Sequence, residues 1–93
     1  MAPKTQTVTL SEPLKVGEEE ITSITLRKPS AGELRGINLV DVLQMNVDAM
    51  TRIIPRISLS YLDESALARM PADDFAELAG TVALFFNRDA SRT

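Results

Sequence analysis

The side chains in this sequence that could carry chemistry are carboxylates, hydroxyls and lysines, because its 93 residues include no His and no Cys. That removes the thiol nucleophile and the commonest general base and metal ligand. Asp73 and Asp74 are adjacent, but neighbours on a helix point about 100° apart and do not converge on one substrate. They read better as charges at a helix start, where the macrodipole favours them. Glu18, Glu19 and Glu20 form a like-charge run, read as a solvated turn that keeps a strand edge soluble. No calcium-loop spacing accompanies it. Gly32 and Gly36 stand four apart in a polar setting, not in an apolar span where that spacing packs helices. Neither a dinucleotide nor a phosphate-loop motif occurs. The expectation is a protein without catalytic, metal or cofactor site.

Two groups of residues fit recognition instead. Arg27, Lys28 and Arg35 make a small basic patch. Its plain reading is a solvated turn, with Arg35 near a helix C-terminus; its functional reading is a docking corner beside Leu34. Phe85 and Phe86 are adjacent and cannot both face one core, so one of the pair is a candidate for a partner surface. Leu34, Leu39, Leu43 and Met50 complete the apolar candidates. Met45, Met50 and Met70 are adaptable side chains of a kind used on binding surfaces, although core filling is their commoner use.

These residues depend on the elements that carry them. Thr7, Thr9 and Ser11 alternate with Val8 and Leu10, the pattern of a half-buried strand over 7–12, where Pro13 should either end the strand or mark an edge. Gly17 supplies a turn. A second strand over 21–27 has Ile24 and Leu26 on one face, with Ile21 out of phase, the mark of a bulge or of a two-sided packing role. Lys28–Pro29 leaves the strand, and Ser30-Ala-Gly-Glu33 fits a capping box for a helix of about two turns that Gly36 stops. Asn38 and Asn46 offer further N-caps. Val47, Met50, Ile54 and Ile57 form a helical stripe, and Asp48, Arg52 and Arg56 are spaced for ion pairs. Pro55 predicts a kink or break. Asp63 caps a short helix over 64–69. Pro71 fits the first position of a last helix over 72–87, whose apolar face is Phe75, Leu78, Ala79, Val82, Phe85 and Phe86. The fold class is α+β: an N-terminal antiparallel β-hairpin (7–27) followed by a small bundle of short α-helices (30–87). It is expected as one domain with flexible ends at 1–6 and 88–93.

Composition narrows the classes further. Apolar residues make up 44% and charged residues 25%, a globular balance. The net charge of −3 argues against nucleic acid, which needs a basic face. No apolar run approaches the ~18 residues of a membrane helix, and the start, MAPKTQTV, lacks the apolar stretch of a signal peptide. The expected location is the cytoplasm.

Four segments, in order, resemble the tail assembly protein E family of contractile-tailed and Mu-like phages and prophages. They are the acidic turn Gly17–Ile21, the segment LRKPSAGELRG (26–36), the Asp48–Ile57 helix with its Pro-Arg-Ile end, and the Pro71–Leu78 opening. Met70 departs from the pattern, where a capping Asp is expected. The resemblance implies a non-catalytic tail assembly chaperone in the bacterial host cytoplasm. It would bind the tape measure protein, keep it soluble until the tail tube polymerises, and be absent from the mature virion. It further implies a longer form of the same chain made by ribosomal frameshifting. Self-association is a further expectation, through the hairpin edge or the Phe85–Phe86 face. The competing readings are a structural tail or baseplate component and a small regulatory nucleic-acid-binding protein.

Overall fold

A computed structural model describes residues 5–86. Its first element is a two-stranded antiparallel sheet of β1 (Thr5–Val16) and β2 (Glu19–Arg27). Both strands are longer than expected. Gly17, at φ +64°, opens a two-residue turn; only the first turn position has positive φ, the condition under which Gly is preferred there. Glu18, Glu19 and Glu20 are exposed. Pro13 does not end β1. The register changes between the pairs Thr9–Ser23 and Leu14–Ile21, so residues 10–13 face Thr22 alone. Pro13 therefore lies in a bulge, where no ladder hydrogen bond is asked of it. The phase break at Ile21 reports that bulge from the opposite strand.

The strand-to-helix junction is tighter than expected. Ala31–Leu34 forms a single 3-10 turn rather than two helical turns. Its capping box forms: the Glu33 carboxylate accepts from the Ser30 N–H at 3.0 Å and from its hydroxyl at 3.3 Å. Gly36 then takes φ +78°, the left-handed conformation that stops a helix at little strain.

Four helices follow: α1 (Leu39–Leu43), α2 (Val47–Ile57), α3 (Glu64–Arg69) and α4 (Ala72–Phe85). Three starts are capped as their sequences direct. Asn38 accepts from Val40 N–H at 2.9 Å, Asn46 from Ala49 N–H at 3.1 Å, and Asp63 from Ala66 N–H at 2.8 Å. At α4 Pro71 is the N-cap rather than the first helical residue, and no side chain caps it. Asn87, expected as the end of this helix, lies outside the described residues, as do 1–4 and 88–93 of the expected loose ends; Thr5 and Gln6 belong to β1.

Pro55 does not break α2, which runs on to Ile57. It sits near the helix end, so the hydrogen bond lost is the one to Thr51. Ile53, Ile54 and Ile57 are fully buried, each worth about 1.5–3 kcal/mol. Together they outweigh a proline penalty of about 3 kcal/mol. Nor do Asp48, Arg52 and Arg56 pair. Arg52 donates to the Gly36 carbonyl at 3.3 Å, and Arg56 to the carbonyls of Glu33 at 2.7 Å and Arg35 at 3.1 Å. An exposed ion pair is worth little, whereas carbonyls at the end of the 3-10 turn have no helical partner and attract cations.

The core lies between the sheet and the helices. Val8, Leu10, Leu14, Ile24 and Leu26 meet Val42, Met50 and the α2 isoleucines on one side and Leu78, Val82 and Phe85 on the other. α4 and α3 lie against β1, and α2 against β2. The outer edge of β2 is partly covered: Leu26 bridges Ser58, and Leu59 N–H donates to the Thr25 carbonyl at 2.9 Å. Asp74 is only 3% exposed, and its carboxylate accepts the Ser11 N–H at 2.8 Å and hydroxyl at 2.9 Å. It therefore fastens α4 to the bulge of β1, a role beyond that of a helix-start charge. Among the described residues no helix is long and apolar enough to cross a membrane.

Candidate partner-binding surface

The basic corner is built around one ion pair. The Arg27 guanidinium, at the end of β2, donates to both Glu33 carboxylate oxygens, one at 2.7 Å, and to the Arg56 carbonyl at 3.0 Å. This fork-on-fork geometry fixes the exit from the sheet. The hydrogen bonds from Arg27, then the one from the Ser30 backbone, hold the Glu33 carboxyl down at about 2, and the same pair raises Arg27. Arg27 is therefore engaged inside the fold. Lys28 and Arg35 are exposed, and Leu34 is half-buried against the core.

The ion pair predicts a pH signature. A carboxyl depressed in the fold stabilises it above the unfolded pKa, and that contribution is lost as pH falls towards the folded value. Glu33→Gln should unfold at a lower temperature than the parent at pH 7. The gap should close between about pH 4.5 and pH 2, the span between the ordinary and the folded value. Thermal melts of both proteins across that range check it; a gap unchanged down to pH 2 would contradict the pairing.

The apolar candidates separate by burial. Met50 is fully buried and Phe85 is 5% exposed, so both serve the core and present no surface. Phe86 is half-buried against the core. Leu39 and Leu43, at 50% and 52% exposed, point outward from α1, where Val42 alone is buried. They do not stand by themselves. Among the described residues, five of the eight exposed large apolar side chains fall within 39–47: Leu39, Val40, Leu43, Met45 and Val47. Val47, read from the sequence as part of the buried stripe, is 63% exposed. So many exposed apolar side chains over nine residues make this segment the candidate surface.

Met45 carries the patch around the end of α1. It is the one non-glycine residue with positive φ, at +57°, among the described residues. Its N–H donates to the Val42 carbonyl at 3.0 Å and the Asn46 N–H to the Asp41 carbonyl at 2.8 Å, the paired bonds of a Schellman stop. Glycine is the usual occupant of that position, and another L-residue there is strained by about 1–2 kcal/mol.

Beyond Met45 the patch opens into a groove of about 640 Å³ between the start of α2, α3 and α4. Met45, Val47, Leu67, Met70, Phe75 and Ala79 supply most of its apolar lining. None of the nine residues singled out from the sequence lines it. Met45 and Met70, flagged only as adaptable side chains, do. The signal that could have found the rest lies in α4, whose apolar residues occupy two stripes. Leu78, Val82 and Phe85 face the core, and Ala72, Phe75, Ala76 and Ala79 recur at i, i+3, i+4 and i+7 along the groove. Among the described residues no group of three or more acidic side chains is placed to hold a metal.

Residues 7–87 match the profile of a family described as phage tail assembly chaperone proteins, E, or 41 or 14. The chain is 40% identical over 84 residues to tail assembly protein E of Escherichia phage P2, covering 90% of this chain and 92% of that protein. It is 42% identical over 82 residues to tail assembly protein E′ of the same phage, covering 88% of this chain but 58% of that longer protein. No solved structure matches the chain.

Proposed function

Because the chain belongs to the phage tail assembly chaperone family, we propose that it acts without catalysis, by holding the tape measure protein soluble during tail assembly. The observation that carries this reading is the run of exposed apolar side chains over 39–47. A long helical protein awaiting its tube exposes apolar stripes, and an apolar patch on a small acidic carrier can cover them while the −3 charge keeps the complex soluble. Leu39 and Leu43 are the central contacts, and Lys28 and Arg35 flank the neighbouring junction. Phage P2 has both a shorter and a longer relative that match this chain. We extend that arrangement here: a longer, frameshifted form shares this domain.

The chaperone works in the host cytoplasm and leaves before the particle is complete. Quantitative mass spectrometry of infected-cell lysate and of purified particles tests this. The chain should be abundant in the lysate and absent from the particles. Stoichiometric retention in the mature tail would make it a structural component instead.

A further inference from the structure

The groove beside α4 has a chemistry that specifies its occupant more closely than the exposed patch does. Its α4 wall is a flat stripe of small residues broken by one aromatic: Ala72, Phe75, Ala76 and Ala79. That stripe lies about 100° round the helix from the core stripe, as neighbouring residues do at 3.6 per turn. It runs about 10 Å along the axis at 1.5 Å per residue, two turns of a helix laid beside it. The volume of about 640 Å³ is roughly four times a cavity that holds one benzene. It therefore has room for the three or four large apolar side chains that an amphipathic helix presents at i, i+3, i+4 and i+7.

The rim is acidic. Glu64 lines the groove, and Glu77 lines a small depression that shares Ala76 with it. Asp48 and Asp73, next in the chain to the lining residues Val47 and Ala72, are exposed. No lysine or arginine lines the groove. Arg52 and Arg69, next in the chain to the lining residues Thr51 and Met70, donate elsewhere, Arg52 to the Gly36 carbonyl and Arg69 to the Lys15 carbonyl at 2.7 Å. Met45 stands at one end, 48% exposed and held in the left-handed conformation. A strained, flexible thioether at the mouth of an apolar groove is a placement that folding alone does not favour.

We propose that this groove seats a two-turn amphipathic helix of the tape measure protein whose apolar stripe is flanked by lysine or arginine. The proposal rests on the tape measure reading above and adds the site and the charge of the segment it takes. The acidic rim pairs with the flanking cations and excludes acidic helices, which gives selectivity along a long helical partner.

Overlapping 20-residue segments of the tape measure protein of the same phage or prophage, arrayed and probed with the purified chain, provide the test. The bound segments should carry an apolar helical stripe with flanking Lys or Arg, and binding should weaken with added salt. Ala76→Trp, which fills the groove from an exposed position, should weaken binding about tenfold or more. Glu64→Lys with Glu77→Lys should do the same for cationic segments and raise binding of segments flanked by Glu. Met45→Gly should move stability and binding in opposite directions, raising the melting temperature by about 5 °C as the backbone strain is relieved while binding falls. Bound segments with acidic flanks, or groove variants that bind as the parent does, overturn the proposal. If the parent still forms a complex with the full-length tape measure protein in that case, the functional reading stands and only the groove assignment fails. If the parent forms no such complex, both fail. If Ala76→Trp instead dissociates a dimer of the chain and leaves segment binding unchanged, the groove belongs to a second copy and the proposal is wrong.

Discussion

Asp74→Ala is expected to destabilise the fold by about 3 kcal/mol. The carboxylate is nearly inaccessible and accepts two hydrogen bonds, from the N–H and the hydroxyl of Ser11. Hydrogen bonds to a charged group contribute about 1.5–3 kcal/mol each, and removing the acceptor leaves donors unsatisfied. The two share one acceptor residue, so their sum is an upper bound. The loss falls where the fold is least redundant. β1 bulges over residues 10–13, so its backbone there has no ladder partner, and Asp74 supplies one from α4. In a domain of this size about 3 kcal/mol corresponds to roughly 12–24 °C in melting temperature. Asp74→Asn keeps the shape and one acceptor oxygen and should lose about half as much. Chemical denaturation of both variants checks the ranking. A loss under about 1 kcal/mol for the alanine variant would mean that the bulge is held by something else.

Leu39→Asp combined with Leu43→Asp is expected to abolish partner binding while leaving the fold almost unchanged. Both side chains are half-exposed, and α1 is anchored by Val42 instead. Exposed substitutions move stability by about 0.5 kcal/mol or less each. Asp at 39 is favoured by the helix start and Asp at 43 disfavoured by its end, so even these small effects oppose one another. On the binding side, an apolar contact that is buried only in the complex is worth 1 kcal/mol or more, and a charge left in its place adds a desolvation penalty. A combined loss of about 3 kcal/mol is roughly a hundredfold in affinity. The double variant should melt within a few degrees of the parent and fail to keep the tape measure protein soluble. Retention of full activity would move the docking surface away from α1.

These two variants also mark what could and could not be read from the sequence. Features set by neighbours in the chain were legible. Asn38, Asn46 and Asp63 cap the helices that follow them, Gly17 makes the hairpin turn, and Gly36 stops the 3-10 turn. Each obeys a rule spanning four residues or fewer. The hairpin followed by short helices came from the same local patterns. What escaped depends on partners far away in sequence. Asp74 looked like a helix-start charge because its real partner, Ser11, lies 63 residues earlier. Asp48 and Arg52 stand at i, i+4, with Arg56 four further along the same face, which permits ion pairing, yet carbonyls of the preceding turn are the better acceptors. Pro55 looked like a break because the penalty is local, while the isoleucines that offset it act through the core.

The surface was legible in part for the same reason. Leu39 and Leu43 were identified as outward candidates, and they are exposed. Met50 and Phe85 were identified too and are core residues, because a helical stripe shows which residues share a face and not what covers it. Val47 errs the other way: it shares a stripe with Met50, but at the first position of α2 it lies beyond the edge of the core. The groove required the arrangement of three helices, and no local rule supplies that. Its one trace in the sequence is that α4 is apolar on more of its circumference than a core-facing helix needs.

The measurement that bears most directly on the chaperone reading is co-expression of this chain with the tape measure protein of the same phage or prophage. The tape measure protein, insoluble when made alone, should become soluble and co-purify with the chain. Unchanged solubility and no recovered complex would contradict it.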